Sequence, residues 1–207
     1  AYTNGAARGI FRNDEPLSFD RTRNKALAEA DLVMVVGTPF DFRLSYGKTV
    51  NPAAKVVQID QNYAVIGKNH DITLGLLGHA GTIFRAVIDA LSGRLEYGAR
   101  SKRQAWIREL RQAEEKALEK LMPLFRSENS LINPYRVAYE LNEFLEEDTI
   151  YVGDGGDVVT ISAQAVRPRN PGQWMDPGPL GSLGVGTGFA IGAKLAHPGK
   201  EVVCYYG

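Results

Sequence analysis

An α/β fold, with Rossmann-like parallel sheets, flanking helices and two incomplete domains, is predicted for this 207-residue chain by three observations. Unbroken apolar runs end in glycine or aspartate, as in LVMVVG at 32–37 and KVVQID at 55–60, the pattern of strands buried in a parallel sheet. Between such runs lie segments whose apolar residues recur at helical spacing, such as GTIFRAVIDAL at 81–91. The same alternation then resumes beyond residue 127, so a second layered unit follows the first.

In chain order, AYTNGAARGIF opens without the basic-then-apolar pattern of a signal peptide and without the look of a domain start. A short helix-like stretch from Lys25 leads into the strand Leu32–Val36, closed by Gly37. After the strand 55–60 and the helix 81–91 comes SKRQAWIRELRQAEEKALEKLM at 101–122. There Trp106, Ile107, Leu110, Leu118 and Leu121 recur at three- and four-residue steps among charges, which predicts an amphipathic helix with a packed face and a solvated one. Pro134 is placed to occupy the first turn of the next helix, PYRVAYELNEFL. DTIYVGD then gives a strand and turn, GTGFAIGAKLA a helix, and EVVCYY a last strand. The division expected is 1–100, a helical linker at 101–126, and 127–207.

Lys plus Arg and Asp plus Glu both number 24, so the net charge is zero and no basic field favours nucleic acid. No run approaches the roughly 18 apolar residues of a membrane span. The single cysteine, Cys204, excludes an internal disulfide and suits a buried residue in a reducing compartment, from which a cytoplasmic location is expected. His70 and His79 have no carboxylate or cysteine at metal-ligand spacing and are expected on the surface or in packing. His197 belongs to the AHPGK turn.

Two glycine-dense loops carry the chemistry. In TIYVGDGGDVV a strand ends in acidic residues and glycines, the place where ligands collect in open α/β sheets and where backbone N–H groups can meet phosphate oxygens. A tight strand-to-helix turn with no ligand would show the same residues. In DPGPLGSLGVGTGFAIGAKLA, Gly181, Gly184, Gly186, Gly188 and Gly192 punctuate a run that enters an apolar helix, letting backbone approach a ligand or a neighbouring helix.

GDGGD, then WMDPGPLGSLGVGTG, then AIGAKLA and a terminal strand ending in glycine resemble the diphosphate-binding domain of thiamine-diphosphate enzymes, in the acetolactate synthase-like and 2-hydroxyacyl-CoA lyase-like branch. VVGTPFDFRLSYG resembles the central domain of the same family, so the likeness spans essentially the whole chain. It implies an enzyme that forms or cleaves a carbon–carbon bond next to a carbonyl, with thiamine diphosphate and Mg²⁺. The substrate would be a 2-oxo acid, an aldehyde or an acyl-CoA.

By the same resemblance Leu183 is the apolar side chain beneath the bent cofactor, with its N–H reaching the pyrimidine ring. The Gly181 carbonyl accepts from the cofactor's amino group, with Ser182 between them. Gly155, Gly156 and Asp157 match the segment that approaches the diphosphate, although a carboxylate at Asp157 would repel it unless turned away, protonated or shared with a metal. Gly37, Thr38, Arg43 and Asp60 stand where relatives hold FAD or the ADP moiety of CoA, with Gly78-His79 where relatives often carry Gly-Asp. The family's activating glutamate is expected in an N-terminal domain and its metal ligands just after Gly207. No catalytic or metal residue is therefore expected within these 207 residues, and the piece alone is expected to be inactive. A homo-oligomer, dimer or tetramer, is implied as well. Two other readings stay open: a non-catalytic nucleotide-binding module, although VVGTPFDF lacks Gly-x-Gly-x-x-Gly, and a structural α/β piece whose glycines serve helix packing.

Overall fold

Parallel strands require crossovers, and in both halves of this chain a helix or a long loop supplies them. The computed structural model describes residues 1–12, 15–94 and 99–207. Two compact units form, one from Arg23–Leu110 and the other from Ala1–Thr22 together with Arg111–Gly207.

The first unit holds β1 (Leu32–Val36), β2 (Lys55–Asp60) and β3 (Leu74–Leu77), all parallel in the order β1-β2-β3. Two helices, α1 (Arg23–Glu29) and α2 (Ala80–Leu91), lie before and after them in the chain. Register pairs Val33 with Val56, and these two join Val35, Phe40 and Val50 in one core cluster. Leu32 and Met34 point the other way and are 53% and 40% exposed. The expectation of a fully buried strand is corrected on this point: the run is apolar throughout, yet only alternate residues reach the core. Gln58 is fully buried between its neighbours because its amide nitrogen donates to the Thr38 carbonyl at 3.4 Å and its oxygen accepts from Gly67 N at 2.8 Å.

In the second unit β4 (Ile150–Asp154) is the middle strand of the order β5-β4-β6, again all parallel. Its partners are the two-residue β5 (Trp174–Met175) and β6 (Val202–Tyr206), and every residue of β4 is buried. Helices α4 (Pro134–Phe144), α5 (Gly156–Ala165) and α6 (Gly186–Ala196) surround this sheet. Pro134 occupies the first turn of α4 as predicted, and the Asn133 side chain caps it by accepting from Tyr135 N at 2.9 Å. Under α5, Tyr151 donates its hydroxyl to Ser162 at 2.6 Å and stands 4.8 Å from the Trp174 ring; burial pushes the Tyr151 phenol well above its usual range. Cys204 is half-buried rather than buried, packed beside the cluster of Ile150, Val152 and Ala193.

Helix α3 (Ala99–Phe125) runs three residues past its expected end, through Pro123. Leu110 is buried as its pattern requires, and so is Phe125 beyond the expected end, but Leu118 is 38% exposed. One charged residue of the helix does not face solvent. Glu114 is 7% exposed and accepts from the backbone N–H groups of Asp20, Arg21 and Thr22 and from the Thr22 hydroxyl, at 2.7 to 3.1 Å. A carboxylate that accepts four hydrogen bonds recovers the solvation that burial removes, and here it ties residues 20–22 into the second unit.

Candidate functional site

The carboxyl end of β4 is where the two glycine loops meet. Gly155 turns the chain from β4 into α5 with φ 105° and ψ 155°, and a Cβ there would lie 3.0 Å from the N and Cα atoms of Gly207. Only glycine fits both the dihedral and the space. Gly156 and Asp157 follow in the first turn of α5, both exposed. An acidic side chain there is favourable to the helix dipole on its own account.

The second loop begins at Asp176. Its carboxylate accepts from Trp174 Nε1 at 2.7 Å and from Gly178 N at 2.8 Å, which starts a short 3-10 turn, Gly178–Leu180, ended by Gly181 in the left-handed region at φ 62°. Nothing lies within 4 Å of where a Cβ would stand on Gly156, Gly181 or Gly184. Leu183 is 71% exposed and Leu180 86%, so neither belongs to the hydrophobic core. Ser182 is exposed between them.

What joins the loops is Asp154, the last residue of β4. Its side chain is 3% exposed and accepts from Gly184 N at 3.0 Å and from Gly186 N at 2.7 Å, while its own carbonyl accepts from Gly207 N at 2.9 Å. Asp154 thereby fastens the backbone that follows Leu183, at Gly184 and Gly186, to the strand end that leads into Gly155.

Cations gather at the opposite end of α5. Arg21 and Arg167 each donate to the Gln164 carbonyl at 2.7 Å, and Arg167 and Arg8 donate to that of Ala163 at 3.1 and 3.4 Å. Burial lowers the Arg167 guanidinium to about 10, and Asp20 at 3.2 Å opposes that shift. These arginines satisfy the carbonyl end of the helix and leave its N–H end at the glycine turn.

Two family models match the chain. One, "Thiamine pyrophosphate enzyme, central domain", matches residues 1–89, and the other, "Thiamine pyrophosphate enzyme, C-terminal TPP binding domain", matches residues 154–207, where both glycine loops lie. The chain belongs to the thiamine pyrophosphate enzyme family. Among curated relatives of this family, a 2-hydroxyacyl-CoA lyase 2 of Danio rerio is 38% identical over 213 residues, covering 100% of this chain and 33% of the relative. The human 2-hydroxyacyl-CoA lyase 2 is 34% identical over 215 residues, covering 100% of this chain and 32% of its own length. A probable acetolactate synthase of Mycobacterium bovis is 35% identical over 204 residues, covering 99% of this chain and 36% of the relative. The chain thus spans about a third of the length of the curated relatives it matches.

Within the region matched by the family's central domain, Gly37 and Thr38 follow β1 and Asp60 ends β2, at the carboxyl ends of adjacent strands. Their polar groups are engaged internally. The Arg43 guanidinium grips the Asp41 carboxylate from Nε at 3.1 Å and Nη2 at 2.7 Å and reaches the Thr38 hydroxyl at 3.4 Å. Asp60 accepts from Asn62 N at 2.8 Å, the geometry of a turn. Just beyond, Ser45 and Tyr46 both hold positive φ, at 51° and 54°. His70 stacks on Phe40 with centroids 4.7 Å apart, and His79 precedes α2.

Sequence reasoning passed over Asp154 and Asp176. Both lie inside the quoted motifs, and the available signal was chemical: an aspartate beside glycines offers two acceptors to the N–H groups that a tight loop leaves unpaired.

Proposed function

We propose that this chain is part of a thiamine-diphosphate-dependent enzyme that forms or cleaves a carbon–carbon bond next to a carbonyl. The substrate would be an acyl-CoA, a 2-oxo acid or an aldehyde, as the names of the 2-hydroxyacyl-CoA lyase and acetolactate synthase relatives suggest. One observation carries the reading. An exposed leucine, followed by a glycine that has open space at its Cβ position and whose amide bonds Asp154 just before the glycine turn of α5, lies inside the region matched by the thiamine pyrophosphate-binding domain.

The residues present fit the cofactor. The Cβ positions of Gly156 and Gly181 open on free space, so no side chain blocks the approach of a ligand to either backbone. The amides opening α5 would meet diphosphate oxygens, with Gly155 and Gly156 allowing close approach and Asp157 turned to solvent. Leu183 would support the thiamine rings, and the Gly181 carbonyl and Leu183 N–H would orient the pyrimidine. When bound, thiamine diphosphate supplies the carbanion chemistry that carbon–carbon bond formation at a carbonyl requires. The chain's contribution is geometric: the glycine loops bind and orient, and the apolar leucine keeps water from that face. Mg²⁺ would accompany the diphosphate, and none of the residues described is assigned to it.

For the domain plan, residues 1–100 would form the central domain, 101–126 a helical linker and 127–207 the start of the diphosphate-binding domain, supported by the separate sheet in each half, with residues 1–22 reaching back to pack in the second compact unit. A nucleotide in the central domain fits less well. FAD or the ADP part of CoA at Gly37, Thr38, Arg43 and Asp60 would have to draw Arg43 away from Asp41. Among the described residues no helix is long and apolar enough to cross a membrane, and the single half-buried cysteine is compatible with the cytoplasm proposed for it. The test is calorimetric titration of the complete protein with thiamine diphosphate and Mg²⁺, followed by assays of 2-hydroxyacyl-CoA cleavage and of pyruvate condensation. Micromolar binding with turnover in either assay is expected, and absence of binding overturns the reading.

A further inference from the structure

Asp154 is followed directly by one loop of the proposed site and bonds the backbone of the other. Its carboxylate is 3% exposed, and each oxygen is committed to a different amide, Oδ1 to Gly184 and Oδ2 to Gly186. The contact leaves no slack. A Cβ added to Gly186 would fall 2.7 Å from the Asp154 Cβ and 2.9 Å from its Oδ2, so the loop backbone approaches as closely as only glycine permits. No cation of the chain has an ion pair with this carboxylate among the described residues, and its charge is balanced by backbone amide dipoles.

A buried carboxylate bonded only for stability could sit against any loop. This one precedes Gly155, which opens the turn into α5, and grips Gly184, which follows Leu183. We infer that Asp154 is a positioning residue that fixes the spacing between the Gly155–Gly156 turn and the Gly181–Leu183 loop, so that a ligand spanning the two is recognised at both ends at once. The inference rests on the proposed thiamine diphosphate site and adds a residue that itself touches no ligand. Its chemical content is selective. A ligand that uses only the α5 turn, such as inorganic pyrophosphate, gains nothing from correct spacing, whereas thiamine diphosphate gains the leucine and pyrimidine contacts only if the second loop stands at the right distance.

The experiment compares wild type with Asp154→Asn in the complete protein. Asparagine keeps the volume but replaces one acceptor oxygen by a donor that cannot accept from an amide. Affinities for thiamine diphosphate and for pyrophosphate, both with Mg²⁺, are measured calorimetrically beside a thermal melt. In a folded variant, thiamine diphosphate binding should weaken about tenfold, in line with the loss of one hydrogen bond to a charged acceptor, while pyrophosphate binding stays within about twofold. Equal weakening of both ligands, or of neither, overturns the positioning role and leaves the thiamine diphosphate reading intact. Failure of the wild type to bind thiamine diphosphate overturns both. Should Asp154→Asn not fold, hydrogen exchange of the wild-type apoprotein decides instead. Protection of the Gly184 and Gly186 amides above that of Gly181 and Leu183 supports the clamp, and exchange at the rate of those neighbours overturns it.

Discussion

Leu183 keeps 71% of its surface in solvent, so the fold gains little from it. Leu183→Ala in the complete protein is therefore expected to change stability by no more than about 0.5 kcal/mol, the range of surface substitutions. Turnover should fall by about tenfold or more, because a cofactor that has lost its support no longer holds its reacting groups in place. Thermal melts beside kcat check this. A loss of about 2 to 5 kcal/mol with unchanged kcat would instead mark an ordinary core leucine, packed in the complete protein by residues outside this chain. The pattern GSLG pointed to the residue, but its exposure was not legible, since a leucine between glycines is equally common in a core. Asp154 was hidden for the opposite reason. Its partners are backbone amides about thirty residues away, and no side-chain pattern announces such a bond.

At the scale of elements, the long apolar or periodic segments were legible. β1, β2, α2, α4, β4, α6 and β6 all stand where the residues place them, within about a residue or two. β3 and β5 escaped notice for physical reasons. LGLL carries a glycine that weakens any strand signal, and the two residues of β5 are too few for a period to exist. The helix α3 showed its amphipathic face, but not that Glu114 turns inward, because its acceptors' partners are amides of residues 20–22 far along the chain. Glu114→Ala removes all four bonds and leaves the buried amide of Thr22 and the half-buried amides of Asp20 and Arg21 unpaired, while the Thr22 hydroxyl keeps its bond to the Tyr2 hydroxyl at 2.9 Å. A loss of about 3 kcal/mol is expected, seen as a lowered urea midpoint, since stranding buried partners costs more than an intact bond contributes. An unchanged midpoint would mean that residues 1–22 are held by other contacts.

For the whole molecule, the loops leave Leu180 and Leu183 facing outward, and a ligand resting on them would be open to water on its far side. Covering by another subunit is the proposed remedy, in line with the family resemblance, and exclusion of water there would strengthen the polar contacts that orient the cofactor. Sedimentation of the complete protein across a dilution series, read beside specific activity, should show activity falling as dimers dissociate, and a fully active monomer would overturn this. The contact of Gly155 with Gly207 adds a matter of timing. A ribosome lays down Gly155 about fifty residues before Gly207, yet the turn after β4 rests on the backbone of that later glycine, which also donates its amide to Asp154. During synthesis the nascent chain can therefore complete β1 to β3 early. The turn that opens α5 must wait, with one side of β4 bare, until β6 and Gly207 have left the exit tunnel.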